Sequence, residues 1–142
     1  MPDFDPATFT QGLIAGLRAN NGELTSGPMA GRPLLILTTT GARSAKPREA
    51  VLTFTRDGDR LVVAASKSGA PTNPDWYHNL IADPIAKVEA GGEAFKARAT
   101  VQEGAERDRL WANHVAARPE FAEYPKKSGR VIPMITLERL AS

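Results

Sequence analysis

Residues 52–63, with the sequence LTFTRDGDRLVV, carry an Asp-Gly pair between two apolar and β-branched runs. A two-residue hairpin turn needs positive φ at both central positions, and Asp57 and Gly58 tolerate that conformation. A turn centred on this pair predicts an antiparallel hairpin with one core-facing side. The cross-strand pairs predicted on that side are Phe54 with Leu61 and Leu52 with Val63.

Residues 86–97, AKVEAGGEAFKA, repeat this arrangement around Gly91 and Gly92. This second glycine-containing turn also predicts a two-residue hairpin. The predicted pairs are Val88 with Phe95 and Ala86 with Ala97. The opposite side carries charged residues, so this hairpin is expected to have one solvated face. The charged residues of that face are Lys87, Glu89 and Lys96.

Other segments predict helices and strands around these hairpins. A helix begins at Pro6, with Asp5 as its N-cap, and ends at Asn20-Asn21-Gly22. The remaining predicted elements are a strand over 34–40, a short helix from Asn73-Pro74-Asp75 to Asp83-Pro84, a helix over 104–118 and a closing strand over 131–137. About six strands joined largely by hairpins form a mostly antiparallel sheet, and closure into a small barrel would remove its edges. We therefore predict one α+β domain over 1–142, with an N-terminal helix in 1–21 and a barrel core over 33–140.

The composition excludes several classes of protein. The chain has 142 residues, enough for one hydrophobic core, and it is 42% hydrophobic and 24% charged, as globular proteins are. It has no cysteine, and His78 and His114 lie far apart, so we predict no metal site. No apolar run approaches the roughly 20 residues of a membrane-spanning helix, and Asp3 and Asp5 are unlike a secretory signal. A net charge of +2 is too small to indicate nucleic-acid binding, and we expect a cytoplasmic protein.

A basic segment follows the first predicted strand. Residues 38–48, TTTGARSAKPR, turn at a glycine, present three cations and contain no acid. Arg43 and Arg48 offer planar forks for phosphate or carboxylate, Lys46 offers a point charge, and Ser44 offers a hydroxyl group. The segment is not a P-loop, because it lacks the Gly-x₄-Gly-Lys-Ser/Thr pattern. It predicts either an anion-binding loop or a solvated basic connection between strands.

Residues 64–71, AASKSGAP, form a second candidate segment. Small residues at the end of a strand let a planar ring lie against the backbone, and Lys67 adds a fourth cation. An ordinary strand-end loop is the alternative. Trp76 and Asn79 lie one helical turn apart and predict either core packing or a cofactor contact, whereas His78 between them is predicted to be a surface residue.

Common catalytic arrangements are missing from the sequence. It has no Gly-x-Ser-x-Gly elbow, no Ser-x-x-Lys pair and no carboxylate pair that stands out as an acid/base couple. We therefore expect a bound cofactor to supply the difficult chemistry.

The combined pattern resembles the deazaflavin-dependent nitroreductase family, which are split β-barrel oxidoreductases that bind coenzyme F420. The likeness rests on residues 38–48, on the Asp-Gly hairpin and on residues 65–80, ASKSGAPTNPDWYHNL, in that order. It runs from about Pro33 to the closing Arg130-Val131-Ile132-Pro133 stretch. It implies a split β-barrel and hydride transfer from reduced F420 to a quinone-like or nitroaromatic acceptor.

The resemblance also implies where the coenzyme binds. The basic segment would hold its phosphate and its glutamate-bearing tail, residues 63–67 would lie along the deazaflavin ring, and Trp76 and Asn79 would close the pocket. Ala45 stands where the family motif has a glycine, a mild change unless this position needs a positive φ. The implied cofactor-binding residues are Thr38, Ala42, Arg43, Ser44, Ala45, Lys46, Pro47, Arg48, Val63, Ala64, Ala65, Ser66, Lys67, Trp76 and Asn79.

The sequence departs from the family pattern in residues 118–124, RPEFAEY. The resemblance implies a tyrosine-rich segment here that shapes the acceptor pocket, but only Tyr124 is retained, and Arg118 and Phe121 replace tyrosines. These three residues and Trp76 are the candidates for the acceptor pocket. Phe121 has no hydroxyl group with which to donate a proton to a nitro compound, so nitroreductase activity is in doubt while coenzyme binding is not.

Two other interpretations of the same residues are open. Related barrels hold FMN with similar basic loops, so an FMN-binding split-barrel reductase is one alternative, and a non-catalytic F420 carrier or sensor is the other. The N-terminal helix packs on the core, which we favour, lies over the acceptor pocket, or associates weakly with a membrane surface. We expect a small-molecule electron acceptor as the partner, no nucleic acid, and either a monomer or a homodimer.

Overall fold

The computed structural model describes residues 6–24, 31–66, 72–129 and 131–140. One antiparallel sheet of seven strands, ordered β2-β1-β5-β6-β7-β4-β3, curls into a half-barrel. The strands are β1 (Leu34–Thr40), β2 (Pro47–Thr53), β3 (Thr55–Asp57), β4 (Arg60–Ala64), β5 (Ile85–Ala90), β6 (Glu93–Gln102) and β7 (Met134–Arg139). The helices are α1 (Pro6–Ala19), α2 (Asp75–Ala82), α3 (Gly104–Ala117) and α4 (Glu123–Ser128), with a 3₁₀ turn at Pro119–Ala122. Within the four described ranges, no helix has both the length and the apolar character that crossing a bilayer requires.

This architecture confirms the predicted α+β class with a mostly antiparallel sheet. It has seven strands rather than about six, because the strand before the first hairpin is interrupted at Phe54, which separates β2 from β3. The Phe54 N–H donates to the carbonyl of Pro33 at 3.0 Å, so β2 pairs with β1 and β3 pairs with β4. Since β2 and β3 remain the edges of the sheet, the expected removal of edges by closure does not occur within the described residues.

The hairpin around Gly91 and Gly92 has the predicted register. The two glycines have φ values of 59° and 83°, as a turn of this kind requires. The cross-strand pairs include Val88 with Phe95 and Ala86 with Ala97. Lys87 and Lys96 lie exposed on the other face, as predicted, whereas Glu89 on that face is half-buried because Arg18 of α1 binds it.

The turn of the first hairpin lies one residue later than predicted, so that Leu61 pairs with Arg56, two residues beyond its predicted partner Phe54. The turn is centred on Gly58 and Asp59, so that Asp57 pairs with Arg60. In this register the Asp57 carboxylate accepts hydrogen bonds from Arg60 and, at 2.9 and 3.0 Å, from Arg109 of α3. These charge-assisted bonds join the hairpin to a distant helix, which the local turn pattern could not reveal. Phe54 therefore does not pair with Leu61, and Leu52 pairs with Leu35 rather than with Val63.

The helix bounds agree closely with the prediction. Helix α1 ends immediately before Asn20-Asn21-Gly22, and α2 ends before Asp83-Pro84. The predicted N-cap Asp5 lies outside the described residues, and Pro74 rather than Asn73 is the N-cap residue of α2. The short helices between residues 119 and 128 were not predicted.

Strand β7 begins at Met134 rather than at the predicted Val131. Pro133 has no N–H to donate to a strand ladder, and its carbonyl accepts the Ala65 N–H at 3.0 Å. The closing strand is therefore displaced towards the C-terminus by three residues.

Both faces of the sheet are buried where the helices pack. Side chains alternate along a strand, so Val63 faces an inner cluster that includes Trp76 of α2, whereas Val62 faces an outer cluster beneath α3. A third cluster contains Ile14 and Leu17 of α1 against β1. Helix α1 therefore packs on the core through these residues, and α2 occupies the inner side of the sheet.

Candidate cofactor-binding cleft

The basic segment forms the loop of the β1–β2 hairpin. Thr40 and Pro47 are the last strand pair, and the loop closes through a hydrogen bond from the Gly41 N–H to the Lys46 carbonyl at 2.8 Å. The Ser44 hydroxyl accepts the Lys46 N–H at 3.2 Å. A Cβ atom at Gly41 would lie 2.5 Å from Ser44 Oγ, so a side chain here would displace the Ser44 hydroxyl from its bond with Lys46. The loop is therefore held in one conformation by its own hydrogen bonds.

Ala45 occupies the left-handed region of the backbone, with φ of 57°. This conformation costs a residue with a Cβ atom about 1–2 kcal/mol. The N–H of Ala45 donates to the Gly41 carbonyl at 2.9 Å, so closure of the loop requires the strained conformation. The position does need a positive φ, and alanine in place of the motif glycine is therefore not a mild change.

Asn79 of α2 bonds to this loop through both ends of its side chain. Its Oδ1 accepts the Ala42 N–H at 2.9 Å, and its Nδ2 donates to Thr39 Oγ1 at 3.0 Å. Thr39 Oγ1 in turn donates to the Arg48 carbonyl at 3.5 Å. Asn79 and Thr39 are only 6% and 2% exposed, so the network lies inside the protein. It connects helix α2 to both sides of the hairpin loop.

A cleft of about 790 Å³ opens between the loop and α2. Small-molecule and cofactor sites commonly have volumes of about 300–1,000 Å³. One wall carries the guanidinium groups of Arg43 and Arg48, and the other carries Trp76 and His78. The described residues that line the cleft are Gln11, Thr39, Gly41, Ala42, Arg43, Ser44, Pro47, Arg48, Glu49, Ala50, Asp75, Trp76, His78 and Asn79.

The loop side of the cleft carries uncompensated positive charge. Neither Arg43 nor Lys46 has an ion-pair partner anywhere in the described part of the chain. Arg48 reaches only the hydroxyl of Ser44, at 3.5 Å. All three cations are exposed, and two of them line the cleft. The arrangement can therefore receive an anion without first breaking an internal salt bridge.

The acid next to these cations already has a partner. Glu49 is bound by the Arg18 guanidinium of α1 at 2.6 Å, and Arg18 also binds Glu89 at 2.8 Å. Hydrogen bonds from Arg18 hold the pKa of Glu89 below its ordinary value. Asp75, exposed at the start of α2, is the other acid that lines the cleft. Arg18 therefore keeps Glu49 from neutralising the loop.

Trp76 is both a core residue and a wall of the cleft. It is 8% exposed and belongs to the inner cluster, yet part of it faces the opening. Both predicted roles are thus compatible with its position. His78 is exposed, as predicted, and also lines the cleft.

The two neighbouring threonines of β1 point to opposite sides. Thr39 lines the cleft, on the side of β1 that carries the inner-cluster residues Leu35 and Leu37. The hydroxyl of Thr38, the predicted site residue, is buried and has no hydrogen-bond partner among the described residues. Alternation along the strand, counted from the leucines, is the signal that would have favoured Thr39. Ala45 and Lys46, also predicted, do not line the cleft in the described ranges.

The predicted ring-binding segment lies at the end of β4. Val63 and Ala65 are fully buried in the inner cluster, Ala64 faces the outer cluster and Ser66 is buried. Within the described part of the protein, none of these residues lines the cleft. Lys67 lies outside the described residues. Contact between this segment and a cofactor ring stays a prediction.

The predicted acceptor-pocket residues lie on the outer side of the sheet. Phe121 is 7% exposed and packs edge-on against Tyr124, with ring centroids 5.1 Å apart. Both belong to the outer cluster with Val62, whereas Trp76 belongs to the inner cluster. Arg118 is half-buried at the C-terminus of α3. Among the described residues the structure does not bring these side chains together with Trp76, and their role in acceptor binding stays a prediction.

His114 is a buried polar residue for which no structural role is predicted from the sequence. Its Nδ1 lies 2.9 Å from Thr55 Oγ1, and its ring meets that of Phe121 edge-on at 4.5 Å. Its Nε2 has no hydrogen-bond partner among the described residues. Burial lowers the pKa of His114 to about 4, so the ring is neutral near pH 7. Its spacing of four residues from the buried Leu110 would have indicated that it faces the core.

Comparison with known proteins reveals relatives that cover most of this chain. A family profile described as F420H(2)-dependent quinone reductase matches residues 13–139. An F420H(2)-dependent quinone reductase of Mycobacterium tuberculosis is 36% identical over 126 residues, which are 86% of this chain and 84% of the relative. A solved F420-H2 dependent reductase, FDR-A, is 38% identical with a TM-score of 0.69, over 75% of this chain and 95% of its own. A solved chain described as a domain-swapped dimer is 33% identical with a TM-score of 0.71, over 94% of this chain and 100% of its own.

Proposed function

Because this chain belongs to the F420H(2)-dependent quinone reductase family, we propose that it uses reduced coenzyme F420 to reduce a quinone-like acceptor, with the coenzyme held in the cleft between the β1–β2 loop and α2. The chain is an F420-dependent reductase by family, and its cofactor is coenzyme F420. The observation that carries the location of the site is a set of three loop cations that have no acidic partner among the described residues and lie beside a cleft of cofactor size.

The residues of the loop fit the anionic part of the coenzyme. The planar guanidinium groups of Arg43 and Arg48 suit the phosphate, the Ser44 hydroxyl can donate to the same group, and Lys46 suits a carboxylate of the tail. Each charge-assisted hydrogen bond contributes about 1.5–3 kcal/mol. A few such bonds are enough for micromolar affinity, about 8 kcal/mol, once the ring adds its own contacts.

The other parts of the site follow from the family pattern and remain proposals. Val63 to Lys67 would lie along the ring and Trp76 would form an apolar wall, whereas a role for Phe121 and Tyr124 in acceptor binding would require the acceptor to reach the outer side of the sheet. The reduced deazaflavin supplies the hydride when it is bound. The task left to the chain is to hold ring and acceptor face to face and to exclude water. Hydride transfer to a quinone gives a hydroquinone anion, which can take its proton from solvent after it leaves the pocket. A quinone therefore needs no tyrosine hydroxyl at position 121, and we favour quinones over nitroaromatic compounds as acceptors.

Binding experiments test the coenzyme. Fluorescence titration with F420 should saturate in the micromolar range, and titration with FMN should give affinity at least about 100-fold weaker, since FMN lacks the acidic tail. Tight binding of FMN with none of F420 would contradict the proposed coenzyme and favour the FMN-binding alternative.

Turnover experiments test the reaction. Menadione should oxidise reduced F420 steadily under anaerobic conditions in the presence of the protein, and faster than a nitroaromatic compound does. Tight coenzyme binding without turnover on a broad panel of quinones and nitro compounds would instead favour a carrier or sensor.

We also propose that this chain forms a homodimer, because the solved relative with 33% identity is described as a domain-swapped dimer. Light scattering after size-exclusion chromatography measures the mass in solution. A mass equal to that of one chain at micromolar concentration would contradict this proposal.

A further inference from the structure

The two walls of the cleft are joined at one buried residue. The α2 wall carries Trp76 and the loop wall carries Arg43, Ser44 and Arg48. Asn79 lies three residues after Trp76, which places it on the same face of α2. From there its side chain reaches the loop at Ala42 and β1 at Thr39.

Both polar ends of the Asn79 side chain are occupied by the protein itself. Oδ1 accepts the Ala42 N–H at 2.9 Å and Nδ2 donates to Thr39 Oγ1 at 3.0 Å. A direct bond to a ligand would have to use the remaining N–H or the remaining lone pair of this amide, and the residue is only 6% exposed. Asn79 is therefore poorly placed to be the cofactor contact that the sequence indicates.

Thr39 extends the connection to the other end of the loop. Its hydroxyl accepts from Asn79 and donates to the carbonyl of Arg48 at 3.5 Å. The network thus holds the backbone at Ala42, just before Arg43, and the backbone of Arg48, so that the chain positions of the two arginines are set relative to each other and to Trp76. Positioned groups bind an anion more tightly because less conformational entropy is lost on binding.

We infer that Asn79, together with Thr39, is a positioning residue that locks the two walls of the cleft and thereby sets the affinity for the anionic part of the coenzyme without touching it. The inference deepens the proposed function and rests on it for the identity of the ligand. Its structural part, the attachment of the loop to α2, is independent of any ligand.

The variant Asn79→Ala tests both parts. Hydrogen exchange of the Ala42 amide, followed by NMR without coenzyme, should lose at least about tenfold of its protection, because its acceptor is gone. The dissociation constant for F420 should rise about tenfold, as expected for the loss of one or two hydrogen bonds.

Thr39→Val provides a second test, because the hydroxyl of this residue is 2% exposed and is already engaged by Asn79 and the Arg48 carbonyl. This variant should also weaken F420 binding, by about threefold to tenfold, whereas Thr39→Ser should restore the affinity. In the Asn79→Ala/Thr39→Val double variant the two losses should not add, because both remove the same connection. Thermal unfolding of each variant checks that the fold is retained.

Two results would overturn the inference. The first is weaker F420 binding by Asn79→Ala with unchanged exchange of the Ala42 amide and no effect of Thr39→Val, which would make Asn79 a direct contact. The second is an F420 affinity within twofold of wild type in both variants despite faster exchange. If the wild-type protein bound no F420, the proposed function would fail, while the exchange of Ala42 would still measure the attachment of the loop.

Discussion

Two groups of arginines, one at each side of the sheet, differ in how their charges are matched. At the β3–β4 hairpin, Arg60 and Arg109 share Asp57 and Glu106 in a closed network with bonds of 2.6–3.0 Å. Hydrogen bonds from Arg109 and Arg60 hold the pKa of Asp57 well below its ordinary value. At the β1–β2 loop the cations have no acidic partner in the described ranges. The first group fastens α3 to a hairpin, whereas the second is left available for a ligand.

The comparison is tested most strongly by removing two arginines from each group. Arg43→Ala/Arg48→Ala should raise the dissociation constant for F420 by at least about 100-fold, because at least two charge-assisted bonds are lost. Its unfolding midpoint should stay within experimental error, since neither arginine has an acidic partner among the described residues. Fluorescence titration and thermal unfolding measure the two quantities.

Arg60→Ala/Arg109→Ala is the matched control with the same change of charge. It should lower the unfolding midpoint and leave the F420 affinity within twofold of wild type. Equal losses of affinity in the two double variants would mean that binding depends on net charge alone, and the distinction between the two groups would disappear.

The side of the molecule with the paired charges also carries the largest expected pH effect on stability. His114 binds a proton at a pKa of about 6.5 when unfolded but only at about 4 when folded, because it is fully buried. The unfolded state therefore takes up more protons between these values, and stability falls as pH decreases from 6.5 to 4, by up to about 3 kcal/mol. Arg118 and Glu120 are the charged groups that act on it, and they oppose each other.

Urea unfolding at a series of pH values measures this dependence. His114→Gln should flatten the slope between pH 4 and 6.5, whereas His78→Gln, at an exposed histidine, should keep the wild-type slope. A slope unchanged in His114→Gln would assign the acid sensitivity to the carboxylates instead.

A smaller effect is expected in the loop of the ligand side. Ala45→Gly removes the cost of the left-handed conformation, about 1–2 kcal/mol, but glycine adds about 0.5–1 kcal/mol of unfolded-state entropy. The net gain in the free energy of unfolding should be up to about 1 kcal/mol. Ala112→Gly, at an exposed position of α3, is the control and should lose about 1 kcal/mol. A lower free energy of unfolding for Ala45→Gly than for wild type would contradict the backbone strain inferred at Ala45.

The smallest effect is expected from neutralising one acid of the paired group. Asp57→Asn should lower the unfolding midpoint modestly at pH 7, because partly exposed ion pairs contribute little. Since the folded pKa of Asp57 is depressed, its contribution is present above the ordinary aspartate pKa and is lost as pH falls below it. The difference from wild type should therefore shrink below about pH 4, and F420 binding should not change. A midpoint difference that grew on acidification would contradict the role of the carboxylate.

Local patterns predicted the parts of the fold that depend on local forces. Gly91-Gly92 determines its hairpin register because backbone conformation at the turn restricts the pairing, and the prolines near both ends of α2 limit that helix. The Asp57-Gly58 register could not be predicted in the same way, since Arg109 lies about fifty residues away and takes part in the choice. The role of Asn79 was equally hidden, because its partners Thr39 and Ala42 come close only in the folded chain.

The sequence by itself determined the α+β class, the basic loop with its three cations, and the resemblance to F420-binding proteins, since all of these are properties of contiguous residues. Only the tertiary structure decided which of those cations are free, because that depends on Arg18 of α1 taking Glu49 away from the loop. It also decided that Thr39 rather than Thr38 faces the cleft, and that Phe121 and Trp76 lie on opposite sides of the sheet. Burial and pairing depend on which residues are neighbours in space. In a strand with two buried faces, side-chain alternation rather than residue type decides which face a residue lies on.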